Sequence, residues 1–281
     1  MSAHLACGTH RLDLARPRVM GILNITPDSF ADGGRHFDHE LALTHARRMQ
    51  ADGADIIDVG GESTRPGAAA VSERTEIARV IPVIEALAAE RFLVSVDTMK
   101  PGVMRAAIAA GAAMVNDVRA LQARGALEAV AASGCAVCLM HMQGKPRTMQ
   151  SDPDYLDVVR EVRDFLVGRA LIAEGAGIAR DRIAIDPGFG FGKTLAHNLA
   201  LLRSLRVFAQ TGYPVLAGLS RKATIGEITG RPVEDRMAGS VAAALNAVAH
   251  GAAIVRVHDV RETVDALNVW LAVETGARAG K

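Results

Sequence analysis

One unit of hydrophobic and polar positions recurs along this chain. In each copy, a glycine is followed within a few residues by a short apolar run that finishes in a polar residue. Glycine suits the left-handed position that ends a helix, and a consecutive apolar run is typical of a strand buried on both faces, as in a parallel sheet. The unit is found at 53–58, 111–116, 134–141, 212–220 and 251–256.

Three further apolar runs, at 19–23, 92–96 and 182–185, bring the predicted strands to eight. Segments with helical spacing lie between the strands. Apolar residues from Ile77 to Leu87 mark one helix face, which Pro82 is expected to kink. Further helices are predicted from start signals at Pro101, Asp154 and Asp259. This alternation of strands and helices indicates parallel βαβ units.

The strand number and the polar residues that end the strands favour a (β/α)8 barrel. An open doubly wound sheet would alternate in the same way, but only the barrel brings all strand ends to one mouth, where the βα loops build the active site. We therefore predict an α/β fold, a TIM barrel, in a single domain over residues 1–281. The residues up to about Arg18 are expected to form a short hairpin that closes the bottom of the barrel.

Composition and charge exclude several classes of protein. The 281 residues are 49% hydrophobic and 22% charged, with no linker or low-complexity tract. The 32 basic and 31 acidic residues give no broad charged surface for nucleic acid or an anionic membrane. The N-terminus lacks the apolar core of a signal peptide, and no apolar run approaches the roughly 18 residues that span a bilayer. We expect a cytoplasmic protein that binds neither nucleic acid nor membranes.

The three cysteines include a CxxC pair, Cys135 and Cys138, within an apolar run. No second pair of Cys or His residues stands at ligand spacing, and side chains three apart on a strand point to opposite faces. We expect buried structural cysteines rather than a zinc site or a disulfide.

Polar residues at the strand ends are the candidates for chemistry. They are Asn24, Asp58, Asp97, Asn116, His141, Asp186, Ser220 with Arg221 and Lys222, and Arg256 with His258. A single strand-end Asp could equally be a cap or a salt-bridge partner. Together, however, the carboxylates of Asp97 and Asp186, the amide of Asn116 and the ammonium of Lys222 would suit a planar heterocycle with a guanidine-like edge, such as a pterin.

A second group of residues suits an oxyanion such as pyrophosphate. It contains Asn24, Arg65, Arg256 and His258. Arg256 alone could form a surface salt bridge, but Arg-x-His at a strand end places both side chains on one side of the strand. In the loop TPDSFADGG, Asp28 and Asp32 could supply an oxygen ligand for Mg²⁺, and Asp32 is the better candidate.

The glycine-rich segment from Asp186 to Thr194 resembles a phosphate-binding P-loop only superficially. Pro187 stands where that motif requires a glycine, which argues against nucleotide binding. We predict a mobile loop with Phe191 available to cover the mouth. The following motif, Ser220-Arg221-Lys222, is expected to lead into a helix whose N–H groups could hold a substrate carboxylate; alternatively, Ser220 simply caps that helix.

Seven motifs carry a family resemblance over nearly the whole chain. They are MGILNITPDSF (20–30), GGESTRPG (60–67), SVDT (95–98), MHMQG (140–144), DPGFGFGK (186–193), GLSRK (218–222) and RVHD (256–259). In order and spacing they are similar to those of bacterial dihydropteroate synthases. Ala31 and Ala120 depart from the pattern, since Ser is common at both positions.

The resemblance implies that p-aminobenzoate attacks the methylene carbon of 6-hydroxymethyl-7,8-dihydropterin pyrophosphate and releases pyrophosphate, with Mg²⁺ as cofactor. It implies a sulfonamide target and a homodimer, and catalytic roles for Asp97, Lys222, Arg256 and His258. The implied pterin site is Asp97, Asn116, Met140, Asp186 and Lys222. The implied pyrophosphate site is Asn24, Arg65, Arg256 and His258, with Asn24 and Asp32 as metal ligands. The implied p-aminobenzoate site is Thr64, Arg65, Pro66, Phe191, Ser220 and Lys222.

Two rival functions are compatible with a pterin-binding barrel. A methyltetrahydrofolate methyltransferase would share the Asp and Asn cage but would need neither a pyrophosphate site nor the Thr64-Arg65-Pro66 loop. A non-catalytic pterin-binding relative would be expected to lack Lys222, Arg256 or His258, and all three are present. We also expect the loops at 28–34 and 63–67 to close over the mouth when ligands bind.

Overall fold

A computed structural model describes residues 4–25, 35–63, 70–144 and 148–276. Two short antiparallel strands come first, β1 (His4–Cys7) and β2 (His10–Asp13). The other strands form one parallel sheet: β3 (Arg18–Asn24), β4 (Ile56–Gly60), β5 (Val94–Asp97), β6 (Met114–Asp117), β7 (Ala136–Met140), β8 (Ile183–Asp186), β9 (Leu216–Ala217) and β10 (Ile254–Val257).

The parallel sheet has eight strands in the order β8-β7-β6-β5-β4-β3-β10-β9. A parallel bridge between Ile185 and Val215 joins its two ends, and the N–H of Ile185 donates to the carbonyl oxygen of Pro214 at 2.9 Å. The sheet therefore closes into a barrel, which confirms the predicted (β/α)8 fold. A single domain over 1–281 includes residues that the structure does not describe, and it stays a prediction.

Helices follow the strands around the barrel. Their bounds are α1 (Arg35–Ala51), α2 (Glu73–Ala89), α3 (Pro101–Ala109), α4 (Ala126–Ala131), α5 (Val158–Gly175), α6 (Leu195–Arg203), α7 (Leu205–Ala209), α8 (Ala223–Thr229), α9 (Met237–Ala249) and α10 (Val260–Thr275). Helix α2 continues through Pro82. Helix α5 begins after Asp157, whose side chain accepts from the N–H of Arg160, so the start predicted at Asp154 was wrong.

The hairpin β1–β2 closes the end of the barrel where the strands begin, as predicted. Leu5 and Leu12 are buried in one cluster with Met20, Ile56 and Met114, which come from the barrel strands. The N–H of Gly8, in the turn of the hairpin, donates to the carbonyl oxygen of Gly134 at 2.9 Å. The opposite end, where the strands finish, is left for the loops.

Cys135 and Cys138 are buried, as predicted, and the third cysteine, Cys7, is buried as well; all three are free. Cys135 packs in the layer between the strands and the helices, whereas Cys138 lies in the barrel interior. The two side chains thus lie on opposite faces of the sheet. In the described part of the chain, no helix combines the length and apolarity that a membrane crossing requires.

Candidate active site

Arg256 joins two carboxylates inside the mouth of the barrel. Its Nε donates to Oδ2 of Asp58 at 2.6 Å, and its Nη2 donates to Oδ2 of Asp97 at 2.7 Å. Strand register explains the meeting, because Asp97 lies beside Gly60, two residues beyond Asp58 on the neighbouring strand β4. Gly60 has no side chain to fill this space; a Cβ there would lie 3.6 Å from the Cβ of Asp97.

The charges in this network shift one another. Burial raises the pKa of Asp97 to about 7; the guanidinium of Arg256 opposes this shift, and the negative charge of Asp58 adds to it. Burial disfavours the charge on Arg256, but Asp58 and Asp97 together raise the pKa of the guanidinium above its ordinary value. Two carboxylates share one cation here, so the site favours a proton or a ligand with N–H donors.

Asn116 offers an unused acceptor beside these carboxylates. Its Nδ2 donates to Oδ2 of Asp58 at 3.0 Å. Among the described residues, the buried Oδ1 of Asn116 and Oδ1 of Asp58 have no hydrogen-bond partner. A buried acceptor without a partner costs about 1–3 kcal/mol, which a donor on a bound ligand can recover. The predicted pterin site therefore has an acceptor that suits a ring N–H group.

Asp186 and Lys222 lie on the other side of the mouth. Asp186 pairs in register with Met140, another predicted pterin residue, and its Oδ1 accepts from the N–H of Gly188 at 2.7 Å. Burial raises the pKa of Asp186, and the positive charge of Lys222 opposes the shift. Burial also lowers the pKa of Lys222 to about 8, although Asp186 favours its charge. The structure thus places all five predicted pterin residues at the mouth of the barrel, four at strand ends and Lys222 at the start of the helix after β9.

Lys222 is held against the glycine-rich loop. Its Nζ donates to the carbonyl oxygen of Phe189 at 2.5 Å and lies 4.7 Å from the ring centroid of Phe191. A Cβ on Gly190 would lie 3.3 Å from Cδ of Lys222, so this glycine permits the close approach. Phe191, predicted to border p-aminobenzoate, therefore lies beside a predicted catalytic cation.

The glycine-rich loop is fastened on several sides, which differs from the mobile loop that the sequence suggested. Asn198 accepts from the N–H of Gly190 at 2.8 Å, and Gln150 donates to the carbonyl oxygen of Gly190 at 2.5 Å. The hydroxyl of Tyr155 donates to the carbonyl oxygen of Gly192 at 2.8 Å. The glycines of this loop therefore allow close backbone packing.

Lys193 and His141 form a buried contact that sequence reasoning missed. Nζ of Lys193 lies 3.0 Å from Nδ1 of His141 and donates to the carbonyl oxygen of Phe191 at 3.0 Å. Burial lowers the pKa of Lys193 to about 7. Burial, followed by the charge of Lys193, lowers the pKa of His141 to about 3, so the imidazole is neutral and accepts at Nδ1. His141 thus supports the loop from the end of β7.

Ser220 and His258 contact each other at the ends of neighbouring strands. Oγ of Ser220 lies 3.0 Å from Nδ1 of His258 and accepts from the N–H of His258 at 3.2 Å. The alternative in which Ser220 caps the next helix was wrong, because α8 begins at Ala223 and Lys222 occupies its N-cap position. Helix α8 has seven residues, which is too short for a strong N-terminal dipole.

Several predicted site residues lie outside the described part of the chain. They are Asp28, Asp32, Thr64, Arg65 and Pro66. The loop at 28–34, including Ala31, and all of the loop at 63–67 except Ser63 lie outside it too, so the predicted loop closure stays a prediction. Ala120, the other departure, is described and has a left-handed φ of 49°. Of the predicted metal ligands, only Asn24 is described, and it is half-buried at the end of β3.

Comparisons with known proteins are consistent with this geometry. Residues 20–258 match the family described as pterin binding enzyme. The dihydropteroate synthase of Escherichia coli (strain K12) is 54% identical over 260 residues, which cover 92% of each chain.

Two solved structures are similar over nearly the whole chain. The Xanthomonas albilineans dihydropteroate synthase with 4-aminobenzoic acid superimposes with a TM-score of 0.92 at 57% identity, covering 98% of this chain and 99% of that one. The Burkholderia cenocepacia dihydropteroate synthase complexed with 7,8-dihydropteroate superimposes with a TM-score of 0.90 at 51% identity, covering 98% and 97%.

Proposed function

The chain belongs to the family of pterin-binding enzymes, and we propose that it catalyses the dihydropteroate synthase reaction. In this transfer, p-aminobenzoate displaces pyrophosphate from 6-hydroxymethyl-7,8-dihydropterin pyrophosphate and gives 7,8-dihydropteroate. The observation that carries the proposal is the set of Asp97, Asn116, Asp186 and Lys222 at one barrel mouth. Asn116 and Asp186 are buried, Asp97 and Lys222 are half-buried, and the amide oxygen of Asn116 has no partner among the described residues. Relatives at 54% and 57% identity that carry this name support it.

The pterin is recognised by acceptors. Asp97 and Asp186 present carboxylate oxygens, and Asn116 presents its amide oxygen, to the N–H groups along the guanidine-like edge of the ring. Burial makes each of these hydrogen bonds stronger than it would be in water. Met140, buried beside Asp186, supplies apolar contact for the ring.

The pyrophosphate is recognised by donors. Nη1 of Arg256 has no hydrogen-bond partner among the described residues, whereas Nε and Nη2 are engaged by carboxylates. We assign Nη1 of Arg256, together with His258 and Arg65, to the pyrophosphate oxygens. Arg256 then links the pyrophosphate to Asp97 of the pterin site.

The chemistry needs help with leaving-group departure more than with proton removal. An arylamine is neutral and nucleophilic near pH 7, so the site needs no strong general base. Arg256 and His258 stabilise the charge that grows on the departing pyrophosphate. The pterin ring shares the positive charge that develops at the methylene carbon, and Asp97 stabilises this cation through the ring.

Magnesium is part of the proposal, and the donor chemistry of the described site fits it in part. Oδ1 of Asn24 would lie 3.4 Å from a Cβ placed on Gly60, so this amide oxygen is at the mouth beside Asp97. Mg²⁺ commonly takes one or two protein oxygens and completes its shell with phosphate oxygens and water. We propose Asn24 and Asp32 as its protein ligands; when bound, Mg²⁺ neutralises charge on the pyrophosphate.

The p-aminobenzoate site is proposed between the fastened loop and Ser220. The ring of Phe191 provides an aromatic wall, and Lys222 provides a cation beside it. Thr64, Arg65 and Pro66 complete the site in this proposal. Sulfonamides share the aniline group of p-aminobenzoate and compete with it at the same place.

A homodimer in the cytoplasm completes the proposal. On the outer faces of α9 and α10, Met237, Val269 and Val273 have exposed fractions of 41%, 66% and 76%. Exposed apolar side chains on these two helices support an interface between two copies. The three free cysteines suit a reducing compartment. Light scattering of Val273→Asp tests the interface, with Leu171→Asp on α5 as the control: the first should halve the mass and the second should leave it unchanged.

The test of the reaction is pyrophosphate release by the purified protein with the pterin pyrophosphate and Mg²⁺. Release that depends on p-aminobenzoate, with dihydropteroate formed, supports the proposal. Saturable pterin binding without product contradicts it and favours the binding-only protein or the methyltransferase. Methyl transfer from methyltetrahydrofolate to a corrinoid protein separates these last two.

A further inference from the structure

Asp58 lies in the middle of β4, where the strand is otherwise apolar. Its side chain is fully buried, and its neighbours on the strand are Ile57 and Val59. A buried carboxylate carries a large desolvation cost unless donors surround it. The sequence placed Asp58 among the polar strand ends but gave it no particular role, and in the structure it precedes the end of β4 by two residues.

Two donors from opposite sides of the barrel mouth meet on one oxygen of Asp58. Oδ2 accepts from Nε of Arg256 at 2.6 Å and from Nδ2 of Asn116 at 3.0 Å. These donors come from β10 and β6, and each belongs to a different half of the proposed site. Arg256 serves the pyrophosphate, whereas Asn116 serves the pterin.

The contact with Asn116 decides which end of its amide faces the ligand. Because Nδ2 donates to Asp58, Oδ1 is left as the free acceptor, and it has no partner among the described residues. The contact with Arg256 acts in the same way. With Nε held by Asp58 and Nη2 by Asp97, the guanidinium plane is fixed and Nη1 remains for an anion.

We propose that Asp58 is a positioning residue that orients Asn116 for the pterin and Arg256 for the pyrophosphate through one shared oxygen. The proposal rests on the proposed function and adds a residue that contacts neither substrate. It requires that loss of the Asp58 charge weakens both ligands together, although they bind at different places.

The isosteric change Asp58→Asn tests this requirement. The new amide can donate to Oδ1 of Asn116, which removes the acceptor meant for the pterin, and it holds Nε of Arg256 less strongly than a carboxylate does. The matched control is Ser95→Ala. Ser95 is the register partner of Asp58 on β5, equally buried, and its Oγ has no partner among the described residues.

Calorimetry measures ligand affinity in the two halves of the proposed site separately. The probe for the pterin half is 6-hydroxymethyl-7,8-dihydropterin, and the probe for the pyrophosphate half is inorganic pyrophosphate with Mg²⁺. We expect Asp58→Asn to raise the Kd of both probes at least tenfold, and Ser95→Ala to leave both within twofold. Unchanged binding by Asp58→Asn, or weakening of only one probe, overturns the shared role. A parent protein that binds neither probe overturns the proposed function itself.

A measurement on the parent protein covers the case in which Asp58→Asn does not fold. The Nε–H resonance of Arg256, identified by its absence in Arg256→Lys, should be shifted downfield by Asp58. If Asp58 is the fixed anchor, that shift persists when pyrophosphate binds, because the anion takes Nη1. Loss of the downfield shift on pyrophosphate binding means that Arg256 leaves Asp58, and it overturns the proposal.

Discussion

Nζ of Lys193 lies 3.0 Å from Nδ1 of His141, so a buried ammonium ties the glycine-rich loop to the end of β7. The same Nζ donates to the carbonyl oxygen of Phe191, whose ring faces Lys222. One interior cation thereby fixes the aromatic wall of the proposed p-aminobenzoate site. The loop contains three glycines and no helix or strand, so polar contacts with neighbouring residues hold it in place.

Lys193→Met should therefore affect p-aminobenzoate more than the pterin. The substitution keeps the length of the side chain but leaves the carbonyl oxygen of Phe191 and Nδ1 of His141 without their donor. We expect the KM for p-aminobenzoate to rise about tenfold, equivalent to about 1.4 kcal/mol, while the pterin Kd changes less than threefold. Steady-state kinetics measures the KM for p-aminobenzoate, and calorimetry measures the Kd of the pterin. Equal losses for both substrates would contradict a local role of Lys193.

His141 should make stability depend on pH in the acid range. Its pKa falls from 6.5 to about 3 in the folded protein, chiefly through burial, so only the unfolded chain takes up this proton between those values. The stability is present above about pH 6.5 and is lost as the pH falls towards 3, by at most about 1.4 kcal/mol per pH unit. His141→Asn keeps an acceptor near Nδ1 and should flatten this slope. Urea unfolding at pH 6 and pH 4 measures it, and parallel slopes for parent and variant would show that His141 does not cause it.

Gly188 lies where the loop crosses the backbone of β7 most closely. A Cβ there would stand 1.9 Å from the carbonyl oxygen of His141, at a φ of +71°. Gly177 has a φ of +94° with nothing within 4 Å of its Cβ, so it shares the left-handed backbone without the clash. We expect Gly177→Ala to cost about 1–2 kcal/mol and Gly188→Ala to cost clearly more and to abolish activity. Urea unfolding measures the free energy of unfolding of both variants. An equal loss in Gly188→Ala and Gly177→Ala would mean that the loop moves aside freely.

The fold was accessible from the sequence because a buried parallel strand needs apolar side chains on both faces, and the chain contains eight such runs. The first and last residues of each strand were harder to predict. The run at 212–220 contains only a two-residue strand, Leu216–Ala217, because Pro214 has no N–H to donate and joins the barrel through its carbonyl oxygen alone.

The sequence indicated which residues lie in the candidate site but not which of them form hydrogen bonds with each other. Asp97 and Asn116 stand at strand ends and Lys222 stands just before the helix that follows β9, so a barrel brings them to one mouth. The bond between Asp58 and Arg256, however, joins residues 198 positions apart and depends on how far each side chain reaches across the barrel. Lys193 was read as part of a mobile loop because its composition does not reveal that its ammonium points inward, towards His141.

Arg256 should stabilise the fold as well as the reaction. Arg256→Met leaves Asp58 and Asp97 buried without a cation, and loss of one partner from a buried pair costs about 3–5 kcal/mol. The loss should be larger at pH 8 than at pH 5, because the pKa of Asp97 is raised to about 7 and its carboxylate is protonated at the lower pH. Arg47→Met is the control, since Arg47 meets Glu90 on the surface and should change the urea midpoint little. Equal effects of the two variants at pH 8 would exclude a structural charge network.

Asp97 should set the acid limb of the pH profile, because its pKa of about 7 follows from burial and from the nearby negative charges of Asp58, Glu76 and Asp117, against Arg256. In the proposed site this carboxylate accepts from the pterin, so kcat/KM should fall up to tenfold per pH unit as the pH drops below 7. Asp97→Asn should remove this limb and lower kcat/KM about 10²–10³-fold, because a neutral amide cannot stabilise a cationic transition state.

Asp117→Asn is the matched control for this profile. Burial raises the pKa of Asp117 to about 6, but its carboxylate accepts from the N–H groups of Arg119 and Leu121 in the turn after β6 rather than facing the mouth. The acid limb should therefore survive in Asp117→Asn, shifted slightly to lower pH because Asp117 is one of the negative charges that raise the pKa of Asp97. If the limb disappears there, or persists in Asp97→Asn, the titrating group lies elsewhere and Asp97 acts only by holding Arg256. An unchanged turnover in Asp97→Asn would remove the cation-stabilising role altogether.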